Sequence, residues 1–228
     1  FPTRRSSDLA CFEMVHSASL SFALCPMLTD GAIEALLTAA SPELQERFVP
    51  SMISGEWTGS MCLTEPQAGS SLNHVSTQAK DLGNGTYSIK GQKIFISGGD
   101  NQFSENIIHL VLARIDGAPK GTKGISLFVV PKRLENASGQ LQSNFVKSIG
   151  VFHKMGQKAT PALHLGFGQE DDCVGYLLGE AHQGLPQMFQ MMNGARLGVG
   201  LTGIAIASAA YHTSLQYAQE RVQGKGLS

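Results

Sequence analysis

Met61-Cys62-Leu63-Thr64-Glu65-Pro66-Gln67-Ala68-Gly69-Ser70 reads as a short strand running into a turn punctuated by Pro, Gly and Ser. Further along, Lys93-Ile94-Phe95-Ile96-Ser97-Gly98 reads as a second strand that ends in a hydroxyl and glycines. Turns of this kind free backbone N–H groups, and their small side chains let a ligand come close. Two such turns on neighbouring strands can hold one planar or anionic cofactor between them.

Working outward, the pattern between residues 57 and about 178 stays strand-like. Thr86-Tyr87-Ser88-Ile89-Lys90 alternates, while Asn106 to Ile115 and Ile125 to Val130 are short apolar runs rich in Val and Ile. Turns such as Gly83-Asn84-Gly85 separate them. The spacing predicts an antiparallel sheet folded as a sandwich or barrel. Before it, Ala10 to about Ala40 is helix-rich, and Ser41-Pro42-Glu43 supplies an N-cap, a first-turn proline and an early acid for a helix that stops at Ser54-Gly55. After it, helix returns from about Leu185. Ile204, Ala207, Ala210 or Tyr211, Leu215, Ala218 and Val222 form one apolar stripe there. The expected class is α+β: a helical segment over 10–56, a central β-sandwich or barrel over 57–180, and the start of a C-terminal helical bundle over 181–228. Residues Phe1 to Leu9 carry no apolar period and resemble a translated sequencing-adapter remnant, so they are set aside. The chain stops at Gly224-Lys225-Gly226-Leu227-Ser228, directly after a long helix, and reads as an internal piece of a longer protein.

Composition narrows the chemistry. The 228 residues are 42% hydrophobic and 15% charged, enough apolar content to bury a core. A net charge of −1 gives no global field toward nucleic acid or an anionic membrane. Cys11, Cys25, Cys62 and Cys173 form no CxxC and read as small buried apolar residues. The histidines show no HExxH, which argues against a zinc hydrolase. Asn84-Gly85-Thr86 and Asn136-Ala137-Ser138 match the glycosylation sequon but read as surface turns. Leu197 to Gln219 carries no formal charge, yet its Thr, Ser, His and Gln residues point to a buried or half-buried helix rather than a membrane span. Gly198-Val199-Gly200-Leu201-Thr202-Gly203 matches GxGxxG. Its flanks read as helix where a dinucleotide turn needs a strand, so close helix packing is the better account.

The Leu-Thr-Glu-Pro turn, its Ala68-Gly69-Ser70, and Gly91-Gln92-Lys93-Ile94-Phe95-Ile96-Ser97 together resemble the flavin-binding middle domain of the acyl-CoA dehydrogenase family. The resemblance runs from about Cys11 to the end of the chain. Residues 109–114, 121–131 and 191–199 are similar to the 3-methylmercaptopropionyl-CoA dehydrogenase subgroup. Carried over position by position, the resemblance implies FAD contacts at Met61, Leu63, Thr64, Gly69, Ser70, Phe95, Ile96 and Ser97. Ser97 would bond flavin N5 and Phe95 would cover the ring. Ser70 would also lie near the pantetheine arm of the ligand. Phe95 stands where many relatives have Trp, Ser97 where they have Thr, and Ser71 where they have Asp. The first two keep ring and hydroxyl chemistry, whereas the third removes a charge.

The resemblance further places Asn193, Gly194, Ala195 and Arg196 on a helix facing the substrate. A charge such as Arg196 in an apolar helix should be paired, either ordering the cleft or bridging domains. Arg221 and Gln223 match a helix end that reaches the cofactor of a neighbouring subunit, a task suited to the Arg fork. The family reaction needs a Glu to take the α-proton. Its position in some members corresponds here to Ala195, which cannot act as a base, and in most it lies beyond Ser228. The chain is therefore expected not to turn over by itself. The implied whole is a cytoplasmic FAD-dependent acyl-CoA dehydrogenase, a homodimer or tetramer, passing electrons to an electron-transfer flavoprotein, with no nucleic-acid or membrane partner. An acyl-CoA oxidase and a non-enzymatic fragment are the alternative readings of the same residues.

Overall fold

The structure is a computed structural model that describes residues 6–224, with side chains from residue 9. Of the nine residues set aside above, 1–5 lie outside the described residues, as do Lys225 to Ser228. Ser6 to Leu9 instead open the first helix, α1 (Ser6–Ala18). It is followed by α2 (Leu20–Ala39) and α3 (Pro42–Ser54). The Ser41 hydroxyl accepts from the Leu44 N–H, and Pro42 sits in the first turn, so the start of α3 is fixed by local chemistry.

Ten strands follow: β1 (Trp57–Cys62), β2 (Gln78–Asp81), β3 (Tyr87–Ser97), β4 (Asn106–Ile115), β5 (Ile125–Pro131), β6 (Arg133–Glu135), β7 (Leu141–Ser143), β8 (Val146–Phe152), β9 (Ala162–Phe167) and β10 (Val174–Leu177). A 37-residue helix, α4 (Gly184–Glu220), follows the last strand. The main sheet runs β1-β4-β5-β10-β3-β9-β8, and β2 pairs with both β3 and β4. That double pairing closes β4, β5, β10, β3 and β2 into a small barrel, with β1 and the β9–β8 pair as extensions. The sheet is not purely antiparallel, because β1 and β2 both run parallel to β4. Parallel neighbours need long crossovers, and the stretch from residue 63 to 105 provides one between β1 and β4.

Side-chain alternation divides the core in two. Val111 and Ala113 of β4 point inward with Ile89, Phe128 and Val130. Ile108, Leu110 and Leu112 point outward, with Ile125, Leu127 and Val129, against α2, α3 and α4. Both faces of β4 and β5 are thus covered, which is why these strands read as nearly continuous apolar runs, interrupted only by His109 between Ile107 and Ala113 and by Ser126 between Ile125 and Val130. Phe48 of α3 packs between Trp57 and Tyr176, and Arg47 donates to the Tyr176 hydroxyl at 2.8 Å.

Three sequence expectations need correction. Cys11 is exposed and Cys25 half-buried, so only Cys62 and Cys173 are the buried apolar residues expected of all four. Helix packing through GxGxxG holds at Gly198, where a Cβ would stand 2.8 Å from the Met27 sulfur, but among the described residues nothing comes within 4 Å of a Cβ at Gly200 or Gly203. The apolar stripe on the second half of α4 is not buried: Ile204 is 62% and Tyr211 63% exposed, because among the described residues only the small Ala205 finds full cover there. Among the described residues, α2 rather than the Leu197–Gln219 stretch is long and apolar enough to cross a bilayer, and it packs between β1 and α4.

Candidate functional site

The two turns read from the sequence come together. After β1 the chain passes Leu63 and Thr64 into a tight turn, closed by Glu65 N–H to Ala68 carbonyl at 2.9 Å and by the reciprocal bond at 3.0 Å. Strand β3 lies alongside, with the Ile94 N–H donating to the Thr64 carbonyl at 2.9 Å. The pairing of β3 with β9 shifts register between Lys93 and Ile96. Within that bulge Phe95 takes φ 58°, a left-handed conformation rare for an aromatic residue. The bulge re-aims Phe95, which stays 59% exposed with its ring 4.5 Å from that of Phe152.

Met61, Leu63, Thr64, Phe95, Ile96 and Ser97 converge on one cleft of about 170 Å³, completed by Leu28 of α2 and Met192 of α4. Ligand pockets that enclose a whole small molecule measure roughly 300–1,000 Å³, so this cleft can form only part of a cofactor site. Leu28 and Met192 carry no sequence signal, since only the packing of α2 and α4 on the barrel brings them to the two turns. Gly69 and Ser70 sit on the turn itself, exposed and outside the cleft. Asn193, Gly194, Ala195 and Arg196 follow Met192 on α4 but do not line the cleft either. Gly194 faces α2, where a Cβ would stand 3.1 Å from Glu34 Oε2. Among the described residues Arg196 has no ion-pair partner. It donates to Asn193 Oδ1 at 2.9 Å and lies over the Phe189 ring, all on its own helix. Arg221 and Gln223 are exposed at the far end of α4. At about 1.5 Å of rise per residue, Arg221 stands about 44 Å along the axis from Met192.

Glu65, which the sequence offers only as a turn residue, is 2% exposed, and its partner Lys93 is fully buried. Lys93 Nζ donates to Glu65 Oε1 at 2.8 Å and to the Leu63 carbonyl at 3.1 Å. Burial pushes the Glu65 pKa up. The Lys93 charge, with hydrogen bonds from Lys93, Thr77 and Ser76, outweighs it and holds the carboxyl down at about 2. Lys93 directly precedes the apolar run Ile94-Phe95-Ile96, and that position is the one signal the sequence offers for this pair.

Behind β1, His109 Nδ1 lies 2.7 Å from Ser60 Oγ and 3.9 Å from Cys62 Sγ. The grouping has nucleophile residue types but not nucleophile chemistry. Burial pushes the Cys62 thiol up to about 12, and burial with the nearby Lys132 charge brings His109 down to about 3. Both stay neutral and enclosed. No group of metal-ligating side chains occurs among the described residues. A larger groove of about 710 Å³ between α2, α3 and β1 holds none of the candidate residues.

The profile of the acyl-CoA dehydrogenase middle domain matches residues 60–168, the stretch that carries both turns. These residues belong to the acyl-CoA dehydrogenase family. The chain is 46% identical over 217 residues to 3-methylmercaptopropionyl-CoA dehydrogenase of Ruegeria pomeroyi, covering 95% of this chain and 36% of that one. It is 44% identical over 220 residues to a butyryl-CoA dehydrogenase of Syntrophomonas wolfei, covering 93% and 36%. The solved butyryl-CoA dehydrogenase from Megasphaera elsdenii superposes with a TM-score of 0.78 at 26% identity, over 97% of this chain and 55% of that one. The chain thus spans about a third of the length of these sequence relatives. Acyl-CoA dehydrogenases are flavoproteins, and the donor set in the cleft fits a flavin. Apolar Met61, Leu63 and Ile96 and the Phe95 ring suit a planar ring system, while the Thr64 and Ser97 hydroxyls suit its polar edge.

Proposed function

We propose that this chain is the flavin-binding part of an FAD-dependent acyl-CoA dehydrogenase that introduces a trans α,β double bond into an acyl-CoA thioester. The observation that carries the reading is the convergence of Met61, Leu63, Thr64, Phe95, Ile96 and Ser97, from two separate sequence blocks, on one cleft. FAD, when bound, supplies the acceptor for the β-hydrogen as hydride. Ser97 and Thr64 offer hydrogen bonds to the ring edge, Phe95 covers a ring face, and Met61, Leu63 and Ile96 keep water away. Gly69 and Ser70, on the exposed turn beside the cleft, serve the pantetheine arm and the cofactor. Asn193 to Arg196 flank the acyl group. Among the described residues no acid lines the cleft, and the base that takes the α-proton is a Glu outside them. The named substrates of the relatives, 3-methylmercaptopropionyl-CoA and butyryl-CoA, favour a short acyl group, thioethers included. Arg221 lies too far from its own cleft to reach it, which supports a homodimer or tetramer in which it serves a neighbour. Electrons then pass to an electron-transfer flavoprotein.

The test uses the chain alone and a chimera in which the C-terminal segment of the Ruegeria pomeroyi enzyme follows residue 228. The chimera should purify yellow or take up added FAD, and anaerobic butyryl-CoA should bleach its flavin band. The chain alone should show no bleaching. A chimera that takes up no FAD would sink the cofactor assignment. Bleaching followed by oxygen-dependent peroxide release at the rate of turnover would make it an oxidase instead.

A further inference from the structure

Resting on the flavin reading of the cleft, we propose that Glu65 and Lys93 are its positioning pair: they lock the Leu63–Thr64 wall to the Phe95–Ser97 wall at a fixed spacing without touching the cofactor. Lys93 is the last residue of β3 before the bulge, and its side chain turns back to the opposite wall, bonding the Leu63 carbonyl and Glu65. The adjacent Ile94 N–H holds the Thr64 carbonyl. The two cleft walls are therefore tied at three consecutive residues, 63, 64 and 65.

Glu65 extends the tie to the loop beyond. Its Oε2 accepts from Gln67 Nε2 at 2.6 Å, from the Ser76 N–H at 2.7 Å and from Ser76 Oγ at 2.9 Å. Its Oε1 accepts from Lys93, from the Thr77 N–H at 3.0 Å and from Thr77 Oγ1 at 2.6 Å. One carboxylate thus closes the neck of the 65–77 loop, which carries Gly69 and Ser70, onto β3. Arg114 staples the same loop from the other side, through the carbonyls of Val75 and Asn73. Stability alone does not account for the pair, because a buried ion pair gains little over an uncharged pair of similar shape. What it adds is a single allowed distance. An apolar contact would let the walls slide, whereas charged partners with every lone pair engaged do not.

The experiment compares the FAD-loaded chimera with Glu65→Gln/Lys93→Met, which removes both charges but keeps an acceptor for the loop, and with Glu65→Asp, which keeps the charge but shortens its reach. The expected result is a far-ultraviolet circular dichroism spectrum like that of the unmutated protein, with the FAD Kd raised roughly tenfold or more. The visible-region circular dichroism and reduction potential of the bound flavin should shift as well, which a merely structural role would not cause. Should the double variant fail to fold, Glu65→Asp decides. A folded variant with unchanged Kd, dichroism and potential overturns the positioning role. An unmutated chimera that holds no FAD overturns the flavin reading itself, and the two failures are told apart by that control.

Discussion

At the scale of single residues, the interior polar groups set the acid behaviour. His109 is enclosed beside Ser60, with no hydrogen-bond partner for its Nε2 among the described residues and its ring edge-on to Phe167. Burial, with the charge of Lys132, lowers its pKa from 6.5 to about 3, partly offset by Asp100. Between those values the unfolded chain binds a proton that the folded chain refuses. Stability from this group is therefore full above pH 6.5 and drains as pH falls toward 3, by up to about 1.4 kcal/mol per unit. Urea midpoints measured against pH should show that slope in the unmutated chain and a flatter one in His109→Gln. Glu65 adds a second, more acidic window, because its depressed pKa withdraws stability as pH falls from 4.5 toward 2. A single Lys93→Met substitution leaves the carboxylate buried without its cation and should cost about 3–5 kcal/mol in urea unfolding.

At the scale of elements, the entry into α4 depends on close contact rather than on a cap. Gln183 precedes the helix without a capping side-chain hydrogen bond, and Gly184 lies directly against β5. A Cβ there would stand 2.5 Å from the Ser126 carbonyl carbon and 2.7 Å from the Leu127 nitrogen, both backbone atoms that cannot swing aside. Gly184→Ala should destabilise by about 1–3 kcal/mol and tilt the helix start, shifting Met192 at the cleft. Thermal unfolding, together with the FAD Kd of the chimera, would register both effects. The start of α3 offers a contrast, since Ser41 caps it by local hydrogen bonding. Ser41→Ala should cost about 1 kcal/mol without changing FAD binding.

At the scale of the whole molecule, α4 projects well past the barrel. Leu197 is 71% exposed, and Ile204, Tyr211 and Leu215 are exposed beyond it on the same side of the helix. An exposed apolar face of this kind is the expected place for association. Light scattering across a concentration series should show the chain associating, and Leu197→Glu/Ile204→Glu should reduce that association while leaving the barrel folded. Arg221, about 44 Å along the helix from the cleft, can reach a cofactor only across such an interface. Arg221→Ala should raise the FAD Kd of an associated chimera and leave that of a monomeric one unchanged.

Much of this was written locally. Apolar runs in β4 and β5, the Ser41-Pro42 helix start and the turn residues after β1 and β3 declare their elements because burial period, capping and turn chemistry act over a few residues. The two blocks that meet at the cleft were legible for the same reason. What the sequence could not express was everything that depends on distant segments sharing space. Barrel closure through β2, the parallel run of β1 beside β4, and the arrival of Leu28 and Met192 at the cleft are set by packing between elements. Glu65 reads locally as a turn residue, and only the fold buries Lys93 against it. The period of the α4 stripe records only which residues share a face. Whether that face finds a partner is decided by the tertiary structure, where the described residues leave it open.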